Sequence, residues 1–129
     1  MDLADLLNEK VVKVPMEAFD KEEAIAELVE VLLRAGQVDN REGALEALYE
    51  RERKGTTGIG KGVAVPHARH PDISGAIAAA GVSRDGIEFD AVDEKEVHLV
   101  FLVLAEVEDP APNVELLADI GYLVQVPGV

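Results

Sequence analysis

One nearly uninterrupted apolar run constrains the fold of this chain more than any other feature. Val97–Ala105 combines β-branched, leucine and aromatic residues, and it has the length of a strand, far short of what crossing a bilayer requires. A strand without polar alternation must be covered on both faces, which favours a central place in a sheet between helices. The total of 129 residues is enough for one such domain.

Two amphipathic helices are predicted in the first half of the chain. The first begins after Asp20, which can cap the free amides while Glu23 reaches back in a capping box. Gly36 follows its last turn as a C-cap. The second helix begins after residues 39–40 and ends near residues 51–54. The apolar stripe of the first helix consists of Ile25, Leu28, Val29 and Leu32.

Shorter segments supply the remaining strands. We predict strands at residues 11–14 (closed by Pro15), 63–65 (closed by Pro66), 76–82 and 87–91, the last after a turn at residues 84–86. Asn113 is the predicted N-cap of a final helix. The order β-α-α-β-β-β-β-α indicates an α/β fold: a single domain with a mixed sheet of about five strands sandwiched between helices.

Composition excludes several classes of function. Twelve basic and 26 acidic residues give a formal net charge of −14, which argues against a nucleic-acid backbone or an anionic membrane as partner. The absence of cysteine excludes a disulfide scaffold, a thiol nucleophile and cysteine zinc sites. No basic segment of a secretory signal opens the sequence, and no run is long enough for membrane insertion, so we expect a cytoplasmic domain.

His67 is the leading candidate for chemistry. An imidazole has a pKa near neutrality and a lone pair that can attack phosphorus. The glycines at 58, 60 and 62 can expose backbone amides to phosphoryl oxygens, and Arg51 or Arg53 can supply a guanidinium. From the residues alone, each feature also has an ordinary interpretation: a structural histidine, a tight turn and a solvated helix end.

Two other histidines receive structural interpretations. His67, His70 and Asp72 have a spacing that could hold zinc, but Pro71 interrupts any helix that would align the two rings, and we expect no metal site. His98 lies inside the apolar run and is interpreted as a hydrogen-bonded core or edge residue.

A longer pattern joins these candidates. Residues 51–68, RERKGTTGIGKGVAVPHA, closely resemble the signature of the mannitol/fructose-type enzyme IIA domains of the bacterial phosphoenolpyruvate-dependent sugar phosphotransferase system, a group that includes the nitrogen-regulatory enzyme IIA. The family pattern runs from an R-E pair through T-G-x-G to G-x-A-x-P-H. Weaker similarity extends over almost all of residues 1–129, which we treat as one enzyme IIA type-2 domain.

The resemblance implies a phosphocarrier without cofactor or metal. It implies that His67 accepts a phosphoryl group from the phosphocarrier protein HPr, or its nitrogen-branch relative, and passes it to a cysteine of an enzyme IIB. Arg51 corresponds to the arginine of the R-E pair and Thr57 to the hydroxyl residue of the T-G element. Thr57 and the amide of Gly58 are therefore expected to hold phosphoryl oxygens.

The sequence departs from the family at two places. Family members usually have a second histidine just before the helix that corresponds to the final helix predicted in this chain. Here that position is Asn113, which is either a phosphoryl contact or only an N-cap. The chain also ends before the family's last helical stretch, which predicts a shortened or incompletely represented domain. The alternative to a carrier is a regulatory binding module of the same fold, with weakened or lost phosphotransfer, that controls a transporter or kinase.

Overall fold

The computed structural model describes residues 8–73 and 75–107 of the chain. Two helices, α1 and α2, follow a 3₁₀ turn and the first strand, and five further strands follow the helices. The bounds are Glu9–Val11 for the 3₁₀ turn, Lys21–Arg34 for α1 and Arg41–Arg53 for α2, with strands β1 Val12–Lys13, β2 Gly58–Gly60, β3 Val63–Ala64, β4 His67–Arg69, β5 Ala76–Ile87 and β6 Val97–Ala105.

The predicted central strand, β6, is the axis of a six-stranded mixed sheet. β5 pairs with it antiparallel on one side, and β1 extends the sheet parallel to β5. On the other side β3 and β4 both pair with β6 in parallel, one after the other along its length, and β2 pairs antiparallel with β3. The predicted α/β class with a mixed sheet is confirmed. Pairing with β6 determines the residue at which β4 begins.

Both faces of the sheet are buried, as the apolar sequence of β6 requires. The main core lies between the sheet and the two helices, and Leu28, Leu32, Leu48 and Leu102 are among its fully buried side chains. A second apolar cluster, which includes Val103 of β6, occupies the opposite face. The final helix predicted from Asn113 lies outside the described residues.

Local capping explains where the helices begin. The Asp20 side chain accepts a hydrogen bond from the Glu23 amide at 2.9 Å, and Glu23 in turn accepts one from the Phe19 amide at 2.9 Å. Asn40 caps α2 by accepting from the Gly43 amide at 2.9 Å. These bonds satisfy amides that would otherwise have no intrahelical partner. Both predicted helices are confirmed.

One strand prediction was wrong, and a strand was missed. No separate strand begins at residue 87: β5 runs from Ala76 through Ile87, and residues 84–86 form a bulge rather than a turn. The register shifts between Val82, opposite Leu99, and Ile87, opposite Val97. Gly86, with φ of +94°, absorbs the extra residues, because glycine adopts this conformation without steric cost.

A strand that the sequence analysis missed begins directly after Pro66. The sequence predicts a strand at 63–65 that Pro66 closes, with His67 immediately after it. In the structure β3 ends earlier, at Ala64, and His67 is the first residue of β4. The Pro66 carbonyl accepts from the Val103 amide at 2.9 Å, so proline keeps the segment paired with β6 through the one backbone group it retains.

Candidate active site

His67 opens onto a cleft of about 470 Å³ between the last turns of α2 and strand β4. Pairing with β6 holds the β4 side of this cleft, and the helix supplies the other side. The lining residues are Ala47, Glu50, Arg51, Lys54, His67, Ala68 and Arg69. Most of the polar side chains that the described residues contribute to this cleft are therefore cationic.

The backbone fixes the orientation and the tautomer of the His67 ring. Its Nδ1 lies 2.7 Å from the carbonyl oxygen of Val65. A carbonyl can only accept a hydrogen bond, so Nδ1 carries the proton and donates it. In the neutral ring the lone pair is then on Nε2, which makes Nε2 the nucleophilic atom of this side chain.

The environment of His67 favours its neutral form. Burial is the largest cause that lowers its pKa below the ordinary 6.5, and the hydrogen bond to Val65 opposes this effect. The positive charges of Arg51 and Arg69 lower the pKa further, whereas Glu52 raises it. The net effect is a lowered pKa, which favours the unprotonated ring at neutral pH.

Arg51 lies in the last turn of α2 and lines the same cleft as His67. Its Nη1 donates to the Gly55 carbonyl at 3.0 Å, which ties the guanidinium to the loop that follows the helix. The structure thus brings together the two residues that the sequence singles out for catalysis. A guanidinium beside a histidine nucleophile is suited to binding phosphoryl oxygens.

Thr57 is directed elsewhere, which corrects its expected role. Its hydroxyl donates to Glu52 Oε1 at 2.7 Å and its amide donates to Oε2 at 3.0 Å. The residue is only 3% exposed. Because a hydroxyl has one proton to donate, the Thr57 side chain has none left for a phosphoryl group at His67. Thr57 instead satisfies the buried carboxylate of Glu52, which the sequence suggests is part of a solvated helix end.

Gly58 also has a structural role rather than the expected contact with a phosphoryl group. Its amide donates to the Thr56 hydroxyl at 3.0 Å, and it is not part of the cleft lining. A Cβ at this position would lie 2.8 Å from the Cα of Ala91. Glycine is therefore required for close packing of two backbone segments. Asn113, the remaining expected phosphoryl contact, lies outside the described residues.

The other histidines lie apart from the His67 cleft. His70 lines a different cleft, where its Nδ1 accepts from the Asp72 amide at 3.1 Å. His98 is exposed, and its Nδ1 lies 2.9 Å from the Ser83 carbonyl. Within residues 8–73 and 75–107, no three His, Asp or Glu side chains are grouped so that they could hold a metal ion.

Sequence reasoning missed three charged residues of the cleft, namely Glu50, Lys54 and Arg69. Glu50 and Lys54 have the ordinary sequence context of a helix end. A signal for Arg69 was present, because a strand beginning at His67 places the second residue after it on the same face. That signal required knowing that β4 begins at His67.

Comparison with known proteins defines the class to which this fold and cleft belong. Residues 5–128 match the family described as phosphoenolpyruvate-dependent sugar phosphotransferase system, EIIA 2. The crystal structure of the nitrogen regulatory protein IIA-Ntr from Neisseria meningitidis is similar, with a TM-score of 0.87 at 31% identity, over 95% of this chain and 84% of that one. The chain belongs to the EIIA 2 family, whose members are phosphotransfer proteins.

Relatives of known specificity are longer than this chain. A fructose-specific EIIABC component of the phosphotransferase system from Bacillus subtilis is 34% identical over 124 residues, which cover 96% of this chain and 20% of that protein. A fructose-specific EIIA component from Haloferax volcanii is 40% identical over 98 residues, or 76% of this chain and 64% of that protein. The chain therefore spans a fifth of the first relative and less than two thirds of the second. Among the helices of the described residues, none combines the length and apolarity needed to span a membrane.

Proposed function

We propose that His67 is the phosphoacceptor of this domain and that its Nε2 forms the bond to phosphorus. The observation that carries the proposal is the hydrogen bond from Nδ1 to the Val65 carbonyl, at 2.7 Å, which leaves the Nε2 lone pair available in a cationic cleft. The lowered pKa of His67 supports it, because a protonated ring has no lone pair to donate.

The proposed reaction exchanges one phosphorus–nitrogen bond for another. The Nε2 lone pair attacks phosphorus in line with the donor's P–N bond, which breaks as the donor imidazole recovers its electron pair. The new N–P bond on His67 retains a high transfer potential, so the step is reversible. Such a transfer depends on positioning and charge stabilisation more than on acid–base catalysis, and the proposal needs no metal or cofactor.

Arg51 is proposed to stabilise the transferring phosphoryl group. Its guanidinium is held by the Gly55 carbonyl through Nη1, and the N–H groups that this bond does not use can donate to phosphoryl oxygens. Holding the guanidinium before the phosphoryl group arrives reduces the reorganisation needed in the transition state. Removing it should therefore slow transfer more than it weakens the fold.

An HPr-like protein, of the sugar or the nitrogen branch, is the proposed donor, and an EIIB is the proposed acceptor. The EIIB proposal is supported by the Bacillus subtilis relative, whose name places EIIA and EIIB components in one protein. In the onward step a cysteine thiolate attacks phosphorus, the P–N bond to His67 breaks, and a P–S bond forms. A cytoplasmic location is part of this proposal, since both partners would have to reach the same cleft.

Asn113 remains a proposed phosphoryl contact. An asparagine amide can donate a hydrogen bond to a phosphoryl oxygen, but unlike a histidine it cannot carry a positive charge. Positive charge for the transfer must then come from the cations that line the cleft.

Phosphorylation of point variants tests the proposal. The protein is incubated with phosphoenolpyruvate, enzyme I and HPr, and the acid-labile, base-stable adduct is measured by intact mass. We expect one adduct on the wild-type chain, none on His67→Ala, and strongly slowed labelling of Arg51→Ala. His70→Ala is the matched control, because His70 lines a different cleft, and it should label like the wild type. Wild-type labelling of a folded His67→Ala variant would refute the assignment.

A further inference from the structure

The cleft around His67 contains positively charged side chains that have no role in the transfer proposed above. Among the described residues that line it, three cations, Arg51, Lys54 and Arg69, and one carboxylate, that of Glu50, sum to a formal charge of +2. The whole chain has a net charge of −14, so the cleft reverses the sign of the molecule locally. A phosphoryl group adds about two negative charges, and one guanidinium can neutralise only one of them.

Arg69 is the unassigned cation whose position is best defined. Its pairing opposite Ala105 of β6, like that of His67 opposite Val103, is part of one continuous parallel register. Alternate residues of a strand project from the same face, so His67 and Arg69 share a face, and Ala68 between them contributes to the main core. Two residues along a strand cover about 6.6 Å, which is within reach of an arginine side chain.

Arg69 also acts electrostatically on His67. Its charge contributes to the lowered pKa of the His67 ring, after the larger effects of burial and of Arg51. A cation that disfavours a positive charge on the ring favours a negative group attached to the same ring. Lys54, in contrast, is an exposed residue that caps the end of α2, and its flexible ammonium is less well placed by the fold.

We propose that Arg69 is a second phosphoryl-binding cation, which together with Arg51 holds the oxygens of a phosphoryl group on Nε2 of His67. The inference rests on the proposed function, since it requires phosphorus on that atom. Arg51 has already committed one donor to Gly55, whereas Arg69 adds a planar pair of donors on the strand that carries the nucleophile. Arg69 would thus supply charge that Asn113 cannot.

Phosphorylation by two independent donors tests this role. Wild type, Arg69→Gln and Arg69→Lys are labelled with phosphorylated HPr and, separately, with the small-molecule donor phosphoramidate. A charge-assisted hydrogen bond contributes about 1.5–3 kcal/mol, so Arg69→Gln should lower both labelling rates by roughly tenfold or more. Arg69→Lys keeps the charge without the planar donor pair, so its labelling rates should lie between those of the wild type and those of Arg69→Gln. Arg34→Gln, the same charge change at an exposed site on α1, should label like the wild type.

A second readout separates direct contact from a loss of docking or of stability. In a ³¹P NMR titration, the phosphoryl group of Arg69→Gln should lose its second proton at a higher pH than that of the wild type, because a neighbouring cation favours the dianion. Wild-type labelling rates from both donors, with an unchanged titration, would overturn the role of Arg69 alone. If the folded wild type accepts phosphorus from neither donor, the proposed function and the inference both fail.

Discussion

At the scale of single residues, the account depends on how the chain prepares one imidazole. His67 has its ring fixed by a backbone acceptor two residues earlier, the carbonyl of Val65. This bond decides which nitrogen holds the proton, and burial with neighbouring positive charge decides that the other stays unprotonated. Orientation and protonation state are therefore both set before any partner binds.

The lowered pKa of His67 predicts a dependence of stability on pH. As the pH falls through about 6.5, an unfolded chain takes up a proton on this ring before the folded chain does, so folding loses free energy. We expect NMR titration to give a His67 pKa below 6.5, and wild type to lose stability relative to His67→Gln between about pH 7.5 and pH 5. The free energy of unfolding of both proteins is measured by denaturant titration at each pH. Above pH 7.5 the difference between the two free energies should be constant, which serves as the control. A His67 pKa at or above 6.5 would contradict the prediction.

Some site residues could be predicted from the sequence and others could not. His67 and Arg51 belong to a local pattern, and the cleft contains both. Thr57 belongs to the same pattern, but its hydroxyl is used by Glu52. That outcome depends on how the end of α2 folds back over the following loop, and sequence spacing does not contain this information. The position of Arg69 in the cleft could be inferred only once the register of β4 was known.

At the scale of secondary-structure elements, interactions close in sequence were predicted well. Helices α1 and α2 begin at side-chain caps within three residues of the amides they satisfy, so the sequence determines them locally. The bulge in β5 was mistaken for a turn because Asp85 and Gly86 are typical turn residues. Its actual conformation is decided by pairing with β6, which is distant in sequence.

Gly58, which follows α2, has a structural role that can be tested. Gly58→Ala should gain about 0.5–1 kcal/mol from the backbone preference of a strand. The new Cβ would, however, lie 2.8 Å from the Cα of Ala91, and relieving such overpacking costs about 1–3 kcal/mol, so the collision wins. We expect a net loss of unfolding free energy, measured by urea denaturation. Ile59→Ala, at the exposed neighbouring position of β2, is the control and should change stability by only about 0.5 kcal/mol.

Stability of Gly58→Ala equal to or greater than that of the wild type would contradict this interpretation of the glycine segment. It would return the glycines to the role first inferred from the sequence, as exposed amides for a ligand. Labelling of His67 in the same variant separates the two roles, because a structural glycine affects transfer only as far as the fold is lost.

At the scale of the whole molecule, the described part of an acidic chain presents a cationic cleft at the edge of a mixed sheet. The net charge of −14 argues against polyanions as partners, but it does not show where positive charge is concentrated. The concentration arises because the end of α2 and the strand β4, which are separate in sequence, meet beside β6. The sequence predicted the family and the main layers of the fold, and the packing of these elements determined which charges surround the nucleophile.

The identity of the ring atom that bears phosphorus is the sharpest test of how His67 reacts. The protein is phosphorylated with phosphoenolpyruvate, enzyme I and HPr, and the ring nitrogens of His67 are assigned by ¹⁵N and ³¹P NMR. Because Nδ1 donates to Val65 at 2.7 Å, we expect phosphorus on Nε2 alone, with the Nδ1 proton still present. Phosphorus on Nδ1 of His67, or on a different residue, would show that Nε2 of His67 is not the acceptor atom.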